Sequence, residues 1–194
     1  MRIAIDISQI VYEGTGVSRY VRNLVFSLLR HDTKNEYVLF GASLRKREVF
    51  LAFASSLKQY GSRVRLVAVP IPPTLMDLMW NVWHVIPAEW FVGPVDVFWS
   101  SDWTQPPLAI AHGITTVHDL SPYYFPKESH DRTELDVSRA HISPNIVGVQ
   151  ARRLAYVAKE CGMIFCDSEA TKTDFMKLFQ VPDSRLVVVY PGFT

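Results

Sequence analysis

Arg2-Ile3-Ala4-Ile5-Asp6-Ile7-Ser8, then a loop carrying Gly14-Thr15-Gly16, then a run from Val17 to Leu29: this opening stretch decides the fold. Its first seven residues are short, β-branched and bounded by polar residues, which suits a central strand buried on both faces better than an alternating edge strand. Beyond the glycines, Val17, Tyr20, Val21, Leu24, Val25, Leu28 and Leu29 recur at helical spacing and stop near His31-Asp32. Strand, glycine loop and helix in that order are the building unit of a parallel sheet.

The same grammar repeats along the chain. Residues 36 to 42 read as a strand, 46 to 60 as a helix with Phe50, Phe53, Ala54 and Leu57 inward, and 64 to 69 as a strand ending at Pro70. Leu75, Leu78, Met79, Val82, Trp83 and Ile86 mark the inward face of a further helix, closed at Pro87 or shortly after. Strands are predicted at 95–101, 114–118, 163–167 and 186–189. Pro122, Pro126 and Pro144 place a loop before a helix from about Asn145 to Glu160. Ser168 reads as an N-cap, with Phe175, Met176, Leu178 and Phe179 on a helix that ends before Pro182. Strands alternating with helices predict an α/β fold, a Rossmann-like doubly wound, mainly parallel sheet with helices on both faces. Ligands of such sheets sit at the carboxyl ends of the strands, which selects the loops after Ser8, Ser101, His118 and Ser168.

Composition narrows the classes of function. With 194 residues, 48% of them apolar, the chain can bury a core as one domain without disulfides or metals. Twenty basic against nineteen acidic residues leave a formal charge of +1, so no general field attracts nucleic acid. Cys161 and Cys166 have neither redox nor zinc spacing and read as reduced thiols. Met1-Arg2 leads straight into the first strand with no apolar leader, so a cytoplasmic location is expected. The apolar stretch from 75 to 92 is interrupted by Asp77, Asn81, His84, Pro87 and Glu89, which excludes a membrane span there.

Several groups at the selected edge carry chemistry, each with a structural alternative. Gly14-x-Gly16 before a helix suits an anion or a close ligand; glycines needed only for a turn are the other reading. A nicotinamide site would want a third glycine and an acid after the second strand, where Phe40-Gly41-Ala42-Ser43 has none, and the P-loop lysine signature is missing too. His118-Asp119 ends a strand where an imidazole can donate to a sugar hydroxyl or a developing charge; the alternative is a structural histidine with Asp119 capping the next turn. Asp102 and Trp103, within Ser100-Ser101-Asp102-Trp103-Thr104-Gln105, suit hydrogen bonding and stacking on a sugar ring, or else packing. Ser168 reads as a helix cap whose helix end can also face an anion. The remaining histidines show no ligand spacing, so no metal is expected. Arg45-Lys46-Arg47 and Arg63 with Arg65 form basic clusters beside apolar residues: a solvated face, or contact with anionic lipid headgroups.

Taken in order, Met1-Arg2-Ile3-Ala4-Ile5-Asp6, Gly14-Thr15-Gly16-Val17-Ser18-Arg19-Tyr20, Val95-Asp96-Val97-Phe98-Trp99-Ser100, Thr116-Val117-His118-Asp119-Leu120, Asp167-Ser168-Glu169-Ala170-Thr171-Lys172 and Val187-Val188-Val189-Tyr190-Pro191-Gly192 cover nearly the whole chain. In these segments the chain resembles the N-terminal domain of family 4 retaining glycosyltransferases of the GT-B architecture. It departs from them at Tyr190 and Pro191, where the hinge usually has asparagine, and from Lys127 to Val149, which follows no family pattern.

The resemblance implies that residues 1–190 form the acceptor-side domain and 191–194 begin the interdomain hinge, with the donor-binding domain outside this chain. It implies transfer of a sugar from a nucleotide-sugar to a glycan or lipid-linked acceptor with retention. The nucleotide-sugar is a co-substrate met mainly by the other domain, and no further cofactor is required. His118 would be catalytic, facing the transferred sugar. Gly14, Thr15, Gly16 and Asp119 would lie near donor phosphates or acceptor, and Asp102, Trp103 and Ser168 would line the acceptor. The isolated chain is then expected to be inactive, cytoplasmic, and open to peripheral contact with the inner membrane face. Two other readings stand: a stand-alone glycan-binding or partner-subunit module without catalysis, and an unrelated nucleotide-binding enzyme such as a sugar-nucleotide epimerase.

Overall fold

The computed structural model describes residues 1–120, Tyr124 and residues 146–192. Seven strands, β1 (Arg2–Asp6), β2 (Glu36–Ala42), β3 (Val64–Val69), β4 (Val97–Ser100), β5 (His112–Val117), β6 (Met163–Cys166) and β7 (Leu186–Val188), form one sheet in the order β3-β2-β1-β4-β5-β6-β7. Every pair is parallel, as the Rossmann-like expectation requires. The chain steps outward from β1 to β3, returns to β4 beside β1, and runs on to β7, so the order reverses between β1 and β4. At such a switch point the loops part and leave a crevice at the carboxyl edge.

Among the described residues, six helices cover the sheet: α1 (Gly16–His31), α2 (Arg47–Ser56), α3 (Pro73–Asp77), α4 (Glu89–Val92), α5 (Ile146–Glu160) and α6 (Glu169–Phe179). Parallel register pairs Ala4 with Phe98, Phe98 with Gly113 and Thr115 with Ile164, so these residues share one face. On it pack Met76 of α3, Leu154 and Val157 of α5, and Phe175 of α6. The alternate residues Ile5, Tyr37 and Leu39 point the other way, toward Val21, Val25 and Leu29 of α1 and Phe50 and Phe53 of α2.

Helix α1 starts where Thr15 Oγ1 accepts the Ser18 amide at 3.2 Å, and Val21, Val25 and Leu29, four residues apart, form its buried stripe. At about 1.5–3 kcal/mol for each fully buried side chain, that stripe supplies most of what holds the helix to the sheet. Asp32 ends it, its carboxylate accepting from the amides of Lys34 and Asn35 and from Tyr37 Oη at 2.6 Å. Where α2 crosses β2, Gly41 is required by space: a Cβ there would stand 2.9 Å from the Phe50 ring.

The predicted helix through Leu75 and Trp83 differs from the observed one. After α3 the chain widens into a π turn at Leu78–Val82, with the Trp83 amide donating to Leu78 O at 2.8 Å. A π turn inserts a residue and shifts the face that follows by about 100°. Met79 and Trp80 point inward, and Val82 and Trp83, expected inside, are carried out to an exposed face; before the turn, Met76 is buried and Leu75, also expected inside, is exposed. The shift also turns Asn81 into the core, where it clamps the loop after β4: Nδ2 donates to Trp103 O at 3.0 Å and Oδ1 accepts the Gln105 amide at 2.9 Å.

Smaller differences have local causes. The first strand ends at Asp6 rather than Ser8, because Asp6 Oδ1 accepts the Ser8 amide at 2.8 Å and starts a 3₁₀ turn at Ser8–Val11. The second helix stops at Ser56 and yields to a 3₁₀ stretch, Lys58–Arg63, interrupted at Gly61. The prolines at 122, 126 and 144, and the loop predicted around them, lie outside the described residues.

Candidate functional site at the carboxyl edge

The ends of β5 and β6 bring the first pair together. Val117 is in register with Cys166, so the next residues of the two strands, His118 and Asp167, are neighbours, and His118 Nδ1 lies 2.6 Å from Asp167 Oδ2. A carboxylate on Nδ1 makes that nitrogen the proton carrier of the neutral ring and leaves Nε2 as its lone-pair atom; once protonated, the ring offers Nε2–H as a donor. Burial pulls the His118 imidazole toward a lower pKa, but the hydrogen bond to Asp167 and the nearby Asp102 carboxylate outweigh it, and the net shift is upward.

Helix α1 closes one side. Tyr20, one turn in from Gly16, meets His118 edge-on with ring centroids 4.7 Å apart. Its hydroxyl is 3.0 Å from Thr116 Oγ1, which also accepts from Trp99 Nε1 at 3.3 Å. The α1 N-terminus is thereby tied to the same strand end as His118. Gly14, Thr15 and Gly16 are exposed there. Gly14 has φ +83°, a backbone reason to be glycine; Gly16 has a negative φ and open space where a Cβ would be, so nothing in the described chain requires glycine at that position.

Behind the edge lies Arg153, which is 0% exposed. On α5 it falls four residues after Val149 and four before Val157, in the middle of the buried face. Its Nε donates to Ser101 O at 2.9 Å, and Nη2 donates to Thr115 Oγ1 at 2.9 Å and Thr116 O at 3.1 Å. Nη1 reaches Asp102 Oδ1 at 3.5 Å. One guanidinium thus ties together the ends of β4 and β5 and faces a carboxylate that is 27% exposed. Burial raises the Asp102 pKa by more than Arg153 and His118 lower it. Asp6, also buried and raised by burial against the hydrogen bonds of Ser8 and Ser101, adds a second carboxylate at the end of β1.

The remaining predicted residues divide. Ser168 does cap α6, its Oγ accepting the Thr171 amide at 3.1 Å, and Thr171 Oγ1 in turn donates to His118 O at 3.4 Å. Asp119 is exposed beside His118. Trp103 lines a separate cleft at the switch point with Ser8, Gln9, Tyr12 and Met76. His118, Asp102 and Ser168 are therefore grouped through Asp167, Arg153 and Thr171, while Trp103 belongs to the β1 side.

Asp167, Tyr20 and Arg153 join this edge through contacts remote in sequence, which no motif marks. A charge at the centre of an apolar helical stripe was the available signal for Arg153. The cysteines, both free and buried, take no part; burial pushes the thiol of Cys161 up to about 12 and that of Cys166 up to about 11. Among the described residues no group of three or more His, Cys, Asp or Glu could hold a metal, and no helix is long and apolar enough to cross a membrane.

Seven parallel strands with helices on both faces, their order reversing between β1 and β4, define a Rossmann-like α/β domain. Among protein families, the one described as Glycosyltransferase Family 4 matches residues 14–194, and the chain belongs to it. A search of curated proteins found no match. Glycosyl transfer is the general chemistry this membership carries.

Proposed function

We propose that this domain forms the acceptor side of a retaining GT-B glycosyltransferase, which passes a sugar from a nucleotide-sugar to an acceptor hydroxyl with no cofactor beyond that co-substrate. The observation that carries the reading is the His118–Asp167 pair at the end of β5, flanked by Tyr20 and by the Arg153–Asp102 pair. Asp167 orients the ring, and the two carboxylates favour its protonated form. His118 Nε2–H then donates to a hydroxyl of the transferred sugar and holds it as positive charge develops at the anomeric carbon. Asp102 accepts from the acceptor, Ser168 extends that surface, and Trp103 offers a stacking face in the separate cleft on the β1 side.

Gly16, where glycine is required by neither φ nor packing, lets a ligand phosphate approach the start of α1 beside Gly14 and Thr15. Asp119 borders the same opening. In this reading a second domain supplies the groups that meet the donor diphosphate, so turnover requires both.

Calorimetric titration with a panel of UDP- and GDP-sugars tests the division of labour, run on these 194 residues and on the full natural reading frame. The proposal expects donor binding and transfer only where a donor domain follows residue 194. Tight donor binding by the 194 residues alone would assign them the wrong half, and a reading frame without transferase activity would favour a glycan-binding module.

A further inference from the structure

The loop after β2, Ser43-Leu44-Arg45-Lys46, leads into Arg47 at the start of α2, and it stands on the same carboxyl edge as the proposed acceptor site. It abuts the turn that follows β1: the Ala42 amide donates to Ser8 Oγ at 3.0 Å, and Lys46 Nζ donates to Val11 O at 3.1 Å, three residues before Gly14. Leu44 is 55% exposed, and Arg45, Lys46 and Arg47 are exposed too. Among the described residues, none of the three bases has an ion-pair partner. Helix α2 continues the pattern, since Leu51, also 55% exposed, lies four residues after Arg47 on the same face. Glu48 is the one acid in this tip.

We propose that this tip docks the domain on an anionic bilayer surface, with Leu44 and Leu51 entering the headgroup layer and Arg45, Lys46 and Arg47 lying against lipid phosphates. The inference rests on the acceptor-edge reading for its purpose, which is to present the site to a lipid-linked acceptor. Adjacent bases without ion-pair partners complement an anionic surface, and the exposed leucines on either side of them distinguish a bilayer from a soluble polyanion, which offers nothing apolar.

Co-sedimentation of the 194-residue chain with phosphatidylcholine vesicles, with and without about 30% phosphatidylglycerol, tests it. Binding is expected to the anionic vesicles alone and to weaken with salt. The pair Arg45→Gln and Arg47→Gln should lower the partition coefficient about 20-fold, and Leu44→Asn roughly tenfold. These side chains are exposed, so far-UV circular dichroism should be unchanged. Trp90→Ser, at an exposed tryptophan on α4 outside the tip, should leave binding intact. Equal binding to neutral vesicles, parent-like binding by both tip variants, equal affinity for heparin, or loss of binding in Trp90→Ser would each overturn the proposal. None of these readouts involves sugar transfer, so a failed transferase assay leaves this result standing and a failed vesicle assay leaves the acceptor-edge reading standing.

Discussion

Replacing Arg153 with methionine keeps most of the side-chain volume and removes the charge. The change leaves Ser101 O, Thr116 O and Thr115 Oγ1 without the donors that reach them at 2.9, 3.1 and 2.9 Å, and leaves Asp102 without its cation at 3.5 Å. Because Arg153 is 0% exposed, water cannot replace those donors. Breaking a buried charge pair from one side costs about 3–5 kcal/mol. In a domain of this size each kcal/mol moves the melting temperature by about 2–4 °C, so a loss of about 4 kcal/mol lowers it by roughly 12 °C. The loss depends on pH. Burial already raises the Asp102 pKa, and without Arg153 it rises further. A raised carboxylate pKa gives stability that is present at low pH and lost as pH climbs through the folded value, so the variant's deficit is smaller near pH 4 than near pH 8. Adding Asp102→Asn should recover part of the loss at the higher pH. Thermal melts of the four proteins in this cycle provide the test; a deficit under about 1 kcal/mol, or one that ignores pH and Asp102, refutes the bridging role.

Other outcomes follow from single contacts. Gly41→Ala drives a Cβ to within 2.9 Å of the Phe50 ring and should destabilise the domain by about 1–3 kcal/mol in urea titrations. Asp167→Asn removes the charge that lifts His118, so the imidazole midpoint followed by NMR should fall below that of the parent. The parent draws stability from that pair at pH values below the unfolded histidine pKa and loses it as pH rises through the folded one, a dependence the variant should lack. Glu89 accepts the amides of Ala109, Ile110 and Ala111 at 2.9–3.1 Å; burial raises its pKa, but these bonds outweigh it and the net shift is down. Its contribution should be present above the ordinary carboxylate pKa and fade as pH falls through the lowered one, and melts of Glu89→Gln should converge with the parent in acid.

The order of elements was legible because each strand of a parallel sheet is a compact β-branched run and each helix an amphipathic stripe. Glu36–Ala42 and Val64–Val69 have the ends the sequence predicts. What failed depends on contacts remote in sequence. No local pattern distinguishes a π turn from an α turn, so the faces of Trp80 and Trp83 were exchanged. His118 was readable as a strand-end histidine, but its partner 49 residues away depends on β5–β6 register. The bonds of Arg153 run to residues 37–52 positions away, and only its place in an apolar stripe pointed to burial.

In the proposed mechanism His118 handles the transferred sugar. The most direct test of that role is steady-state transfer by the full enzyme, parent against His118→Ala, on whichever nucleotide-sugar the titration selects. A group that acts by hydrogen bonding and charge in the transition state predicts a fall in kcat of about 10²–10³ with donor KM changed little. Turnover within twofold of the parent would contradict the claim and leave His118 a structural partner of Asp167.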